Sequence, residues 1–376
     1  MRINAFGVED WLNVWEKSAT YDIAQSTISS MTMNEILNLD GRNGAEFYSL
    51  LNDQKMNYGW IEGSHEFKQE VAKLYHNVDD ENILQTNGAT GANFLALYAL
   101  IEPGDHVIAE YPSYQQLYDI PKSLGAKVDL WKIHEADNWY PSIDELKQLI
   151  QPNTKLICLN NANNPTGTIL NREFLLEVVA LAKSIGAYIL VDEVYLPLDD
   201  PNQFVSIVDI YDRGIATNSL SKTYSVPGIR VGWVVANHEL IDLFRKYRDY
   251  TMICSGVFND LMAVYILRHR KQIIARNQKI VLNNLKIYKN WIENEPRVSV
   301  ILPKAVSTSF PKLDIPDDIE EFCIKLLKTK GVLLVPGTRF DTPGHVRLGY
   351  CTDEATLSNG LTKISEFMIE QYGVKN

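Results

Sequence analysis

From about residue 64 the chain alternates short apolar segments with helical patterns, and no other feature constrains the fold as strongly. Residues 107–110, 155–160 (KLICLN), 187–192 (AYILVD), 215–219 and 229–236 read as strands. Between and before them the spacing predicts helices. Residues 65–76 put Phe67, Val71, Leu74 and Tyr75 on one stripe, with Ser64 as N-cap. Residues 91–101 turn Phe94, Leu97, Tyr98 and Ile101 inward, and residues 171–184 form a helix ended by Gly186. Short apolar strands separated by helices of roughly 10–15 residues form a mainly parallel sheet covered on both faces, an α/β fold.

Length sets the number of units. At roughly 150 residues per domain, 376 residues correspond to about 2.5 units. Residues 256–293 are almost free of Gly and Pro and read as one or two long helices. Beyond them Pro296, Pro303, Pro311, Pro316, Pro336 and Pro343 punctuate a mixed region that ends in a helix at 353–371. The expected organisation is a large domain at 41–293, including the long linking helix, and a small domain at 294–376. Residues 1–40 are expected to form an arm that belongs with the small domain.

Composition removes several function classes. Lys and Arg total 36 against 47 Asp and Glu, a net charge of −11, which suits a phosphate backbone poorly, so no nucleic-acid partner is expected. The compact apolar run at 94–101 falls far short of the roughly 20 residues of a spanning helix. Glu9 and Asp10 stand where a signal peptide carries its apolar stretch, so the expectation is a cytoplasmic protein with no membrane partner. The cysteines Cys158, Cys254, Cys323 and Cys351 form no CxxC pair, which argues against a disulfide framework or a Cys-rich zinc site; no metal is expected. HExxH, GxSxG and GxxxxGK[ST] motifs are all absent from the sequence.

In open α/β sheets ligands bind at the carboxyl ends of strands, and four polar groups follow predicted turns or strands. Residues 87–93 (NGATGAN) open a helix with small residues, which offers an anion the backbone N–H groups and the positive end of the helix; the plainer alternative is a tight turn capped by Thr90. Residues 163–167 (NNPTG) follow the strand at 155–160 and read equally as an ordinary turn. Asp192 and Tyr195, in DEVY, suit a ligand with one basic and one oxyanionic position, or simply solvent. In Ser219-Leu220-Ser221-Lys222, followed by Gly228, Arg230 and Gly232, one amine stands beside two phosphate partners, although a lysine after a strand is ordinarily a surface charge.

In this order and spacing, NNPTG, DEVY and SLSK with GIRVGW resemble the class I/II aminotransferases, a fold-type-I family that uses pyridoxal 5'-phosphate (PLP). The resemblance runs from about Tyr58 to the last helix. It implies a mainly parallel seven-stranded sheet between helices, a smaller α+β domain and PLP as cofactor. It implies that Lys222 carries the cofactor as a Schiff base, that Asp192 partners the pyridine nitrogen, and that Tyr195 and Asn164 donate to the phenolic oxygen. Gly88, Ala89, Thr90, Ser219 and Arg230 match the phosphate cradle, and Tyr114 (in EYPSY) matches the aromatic residue stacked on the ring. Tyr58 (in YGWIEG) matches a tyrosine that reaches the phosphate of the neighbouring subunit. Arg347 (in HVRLGYCTDEATL) matches the arginine that grips the substrate carboxylate, with Asn164 beside it. Elementary chemistry agrees: an ionised Asp keeps the ring nitrogen protonated, and a guanidinium fork binds phosphate or carboxylate bidentately.

The N-terminus departs from that family. Where many members have a glycine-containing loop that contacts substrate, this chain has residues 22–30 (DIAQSTISS). Residues 11–30 resemble capreomycidine-synthase-like members, which act on a modified arginine. The expected function is transfer of an amino group from an amino acid to a 2-oxo acid by a homodimer. Elimination (a C–S lyase), replacement, cyclisation or decarboxylation on the same scaffold is the alternative, because these reactions share Lys222 and Asp192. A PLP-fold binding protein without turnover is a third reading.

Overall fold

The structure, a computed structural model, describes residues 2–375. Its main sheet has seven strands: β1 Ile83–Thr86, β2 His106–Tyr111, β3 Lys127–Lys132, β4 Thr154–Asn160, β5 Tyr188–Asp192, β6 Gly214–Ser219 and β7 Gly232–Val235. Their order is β1-β7-β6-β5-β4-β2-β3. β7 runs antiparallel to β1 and β6, and the other pairings are parallel. The central strands carry apolar residues on both faces because each face has its own core. Ile157, Leu159, Ile189 and Val191 point into one core, while Leu156, Cys158 and Leu190 point into the other. The first core includes Phe174, Val178 and Ala182 of the helix Arg172–Ile185, which starts at the Asn171 cap and stops at Gly186 in the left-handed region.

Several expectations need correction. The second core is closed by the helix Gly88–Leu100, which starts three residues earlier than expected and buries Ala92, Asn93, Leu95, Ala96, Leu97 and Leu100. Tyr98 is instead 40% exposed and stacks on Phe94 at 5.5 Å. Small residues face the sheet because the backbones approach closely: a Cβ on Gly232 would lie 2.4 Å from the carbonyl carbon of Gly88. The helix expected over 65–76 stops at Ala72, although Leu74 and Tyr75 still pack on the core. The strand expected at 229–236 begins only at Gly232, since Pro227–Ile229 is a single helical turn and Arg230 has φ +52°.

A separate core joins the two chain ends. Val8, Trp11, Ile23 and Ala24 pack with Phe322, Leu326, Val332, Leu357 and Phe367. Tyr21 and Asp22 pair in parallel with Val332 and Leu333, and the Trp11 indole donates to the Leu334 carbonyl at 2.9 Å. Ile36 and Leu37 pack on the sheet side instead. The helix Arg270–Asn294 spans both regions, with Ile273 in the sheet core and Val281 and Tyr288 in the other. Its buried Asn277 donates to the Thr223 carbonyl (2.7 Å) and the Ser225 hydroxyl (2.8 Å). Its buried Asn284 donates to the carbonyls of Tyr350 (2.9 Å) and Thr352 (2.8 Å). No helix among the described residues is long and apolar enough to cross a membrane.

Candidate active site

A cavity of about 660 Å³ opens at the carboxyl ends of β4, β5 and β6. Asp192, the last residue of β5, is 2% exposed. Its Oδ2 accepts from Asn93 Nδ2 at 2.7 Å and its Oδ1 accepts from the Val194 amide at 3.3 Å. Thr217 donates to Asn93 Oδ1 at 2.6 Å, which aims the amide nitrogen at the carboxylate. Burial pushes the Asp192 carboxyl up to about 6, opposed by these hydrogen bonds and by the charge of Lys222.

Lys222 follows β6. Its Nζ donates to Ser26 Oγ at 2.9 Å and lies 3.5 Å from Thr27 Oγ1. Burial, then the nearby charge of Arg347, lowers its amine to about 8. Tyr195 is buried, which pushes its phenol up to about 12 against the charge of Arg347 and a hydrogen bond with Ser26, so it stays protonated at neutral pH.

Arg230 is held in the left-handed region, with Nη1 donating to the Pro227 carbonyl at 3.0 Å and the Ser221 hydroxyl at 3.4 Å. The Ser221 amide donates to Ser219 Oγ at 3.2 Å. Gly88 has φ +69°, a conformation that favours glycine, and a Cβ there would lie 2.7 Å from Arg230 Nη2 and push the guanidinium aside. This guanidinium lies against the first turn of the helix Gly88–Leu100, where partial positive charge gathers, and Ala89 and Thr90 line the cavity. The Tyr114 hydroxyl is 3.4 Å from Thr90 Oγ1, and its ring packs on Phe6 with centroids 5.2 Å apart.

Arg347 comes from the other core and is 3% exposed. It donates to Asn164 Oδ1 at 3.3 Å and to the Ala24 carbonyl at 3.0 Å, while its buried Nε has no partner among the described residues. The Asn164 amide donates to Asn160 Oδ1 at 2.8 Å, and Asn160 Nδ2 donates to the Asp192 carbonyl at 3.0 Å, which locks the loop to the strand ends.

The cavity therefore gathers Ala89, Thr90, Tyr114, Asn164, Asp192, Tyr195, Ser219, Lys222, Arg230 and Arg347, with Gly88 beneath Arg230. Tyr58 is the exception: it is 80% exposed and does not line the cavity of its own chain. Asn93, Thr217, Ser26 and Thr27 carry no role in the sequence reading. Asn93 stands in the NGATGAN run and Ser26 and Thr27 in the divergent 22–30 segment, but only the folded chain shows what they touch. Among the described residues no group of three or more His, Cys, Asp and Glu side chains is disposed to hold a metal ion.

Comparison with known proteins follows the same lines. The family model for aminotransferase class I and II matches residues 38–364. An aspartate aminotransferase from Thermotoga maritima is 31% identical over 317 residues, 81% of this chain and 82% of its own. A capreomycidine synthase from Streptomyces vinaceus is 27% identical over 96% of this chain and 92% of its own. A solved PLP-dependent aminotransferase from Streptococcus suis 89-1591 is 56% identical, with a TM-score of 0.97 and 100% of both chains covered.

Proposed function

The chain belongs to the class I and II aminotransferases, enzymes that depend on PLP, and on that premise we propose that Lys222 handles the proton as an amino group passes from an amino acid to a 2-oxo acid. The observation that carries this reading is the convergence of Lys222, Asp192, Tyr195, Arg230 and Arg347 on one cavity.

The residues present fit the cofactor. Asp192 is buried, forms no ion pair among the described residues, and suits a protonated ring nitrogen. Gly88, Ala89, Thr90, Ser219 and Arg230 suit its phosphate, and Tyr114 offers a ring face. Tyr195 offers a phenolic donor to its ring oxygen. Asn164 offers its Nδ2, because its Oδ1 is engaged by Arg347. When bound, PLP supplies an electron sink for the substrate α-carbon.

The remaining tasks fall to this chain's own groups. The Arg347 fork holds the substrate carboxylate, and the arm carbonyl of Ala24 fixes the fork's direction. Burial and the charge of Arg347 lower the Lys222 amine from the ordinary lysine value, which favours the neutral form that can take the proton from the α-carbon. In this reading residues 41–293 hold the cofactor, while the arm at 1–40 and residues 294–376 supply the substrate contact. Tyr58 serves the neighbouring subunit of a homodimer; its exposure beside Trp60 (63%) and Ile61 (56%) supports a second copy covering this surface. The four free cysteines suit the reducing cytoplasm.

A second reading, cyclisation or elimination on the same site, is favoured by the capreomycidine synthase match over 96% of the chain. The spectrum of the purified holoenzyme separates the two. Conversion to the aminated cofactor by an amino acid, reversed by a 2-oxo acid, supports transfer. Turnover of the amino acid to a cyclic or deaminated product without that conversion rejects it.

A further inference from the structure

The helix Gly7–Trp15 buries Val8 and Trp11 and turns its other face to the cavity, where Glu9, Leu12 and Glu16 (just past its end) form a wall. Their spacing of three and four residues places them on one stripe, with the two carboxylates two turns apart. An acid in a first helical turn can serve the helix dipole alone, and this accounts for Glu9 in part. It does not account for Glu16 at the opposite end, where a negative charge is unfavourable. Glu9 forms no hydrogen bond or ion pair among the described residues, yet its charge is felt at Lys222, Tyr195 and Arg347. Among the described residues Glu16 is engaged only by the Gln25 side-chain amide.

A second, independent observation concerns what the cavity leaves unpaired. Arg347 and Gln116 both line it and are more than nine-tenths buried, and each keeps one buried polar atom without a partner among the described residues, Nε and Oε1. One is a donor suited to a carboxylate; the other is an acceptor, like the two glutamates. The cations on the cavity wall are Lys222, Arg230 and Arg347, each with a task in the proposed reaction. A carboxylate on the substrate's side chain would therefore meet Glu9 and Glu16 and no unused cation among the described residues.

We propose that the substrate is an amino acid whose side chain ends in a cation, an ammonium or guanidinium, received by Glu9 and Glu16 while Arg347 holds the α-carboxylate. The proposal deepens the transfer reading of the same site and rests on it. Two carboxylates that share one cation, each adding the few-fold gain of an exposed ion pair, give together roughly a tenfold preference.

The test uses the dimeric or monomeric holoenzyme as purified and calorimetric titration with three compounds that lack an α-amino group and so cannot react: 5-guanidinopentanoate, pentanoate and glutarate. The expected result is that 5-guanidinopentanoate binds at least about tenfold more tightly than pentanoate, with glutarate weakest. In the double variant Glu9→Gln, Glu16→Gln that preference vanishes and pentanoate affinity is retained. Equal affinities, tighter glutarate, no detectable binding of 5-guanidinopentanoate, or equal weakening of all three in the variant overturns the proposal. Absorption spectra with L-ornithine, L-arginine, L-norleucine and L-aspartate keep the two readings apart. Conversion by L-norleucine or L-aspartate without an advantage for the cationic pair sinks only the side-chain proposal. Tight 5-guanidinopentanoate binding with no conversion by any amino acid sinks only the transfer reading.

Discussion

The sheet wall of the cavity and the wall supplied by residues 6–30 hold their side chains in different ways. On the sheet wall Asp192, Asn93 and Thr217 are at most 2% exposed and bonded in series across β5, β6 and the helix Gly88–Leu100. Such a network fixes its geometry before any ligand arrives, since each member would be costly to leave unpaired. On the arm wall Glu9 and Glu16 are exposed and Thr27 is half-buried, and only Ser26 is held as the sheet wall is, buried and accepting from Lys222. The difference teaches a division of labour: the rigid wall suits a cofactor that stays in place, and the open wall suits a substrate that comes and goes.

Four measurements break or sharpen that division, beginning with the largest effect. Lys222→Ala is expected to lower kcat by about 10³-fold or more, as loss of a proton-transfer group does, while the protein still retains PLP non-covalently. A variant turning over at the wild-type rate would remove the amine from the reaction. Next, Asn93→Ala leaves the Asp192 carboxylate buried with one hydrogen bond fewer, and the PLP dissociation constant should rise roughly 10- to 100-fold, read by fluorescence titration. An unchanged constant would mean that the sheet wall is not organised through Asp192.

The third concerns pH. Lys222 has its amine lowered to about 8, so in cofactor-free protein the neutral, nucleophilic form falls away below that value. Reconstitution with PLP should slow about tenfold for each pH unit below about 8 and level off above it. A midpoint near the ordinary lysine value would contradict the buried, Arg347-flanked setting. The smallest effect belongs to the arm. Ser26→Ala removes one neutral acceptor, so kcat/KM should fall by no more than about fivefold while PLP affinity holds. If PLP affinity falls instead, the two walls are not separable.

The sequence carries the sheet wall well and the arm wall poorly, for physical reasons. Asp192, Ser219 and Lys222 are legible because strand ends aim side chains at a common crevice and because turn residues cluster there. Asn93 escapes because its partners lie 99 and 124 residues away in sequence, beyond any local pattern. β1 and β3 escape because one, ILQT, gives up its apolar run after two residues and the other, KVDLWK, is a half-exposed edge with mixed polarity. Tyr98 is misplaced because hydrophobic spacing alone does not show that a close backbone contact admits only small side chains. In the arm, residues 22–30 announce a departure from the family pattern, but the contact of Ser26 with Lys222 depends on how both chain ends pack.

The helix Arg270–Asn294 acts on the site without touching the cavity. Asn277 fastens the segment just after Lys222, and Asn284 fastens the segment just after Arg347. Seven residues of helix separate the two amides, a rise of about 10.5 Å. The helix is thus a gauge: it sets how far the amine stands from the guanidinium, much as an amino acid sets how far its α-carbon stands from its carboxylate. Inserting one residue between the two asparagines would swing one amide by about 100° and unhook one end of the gauge.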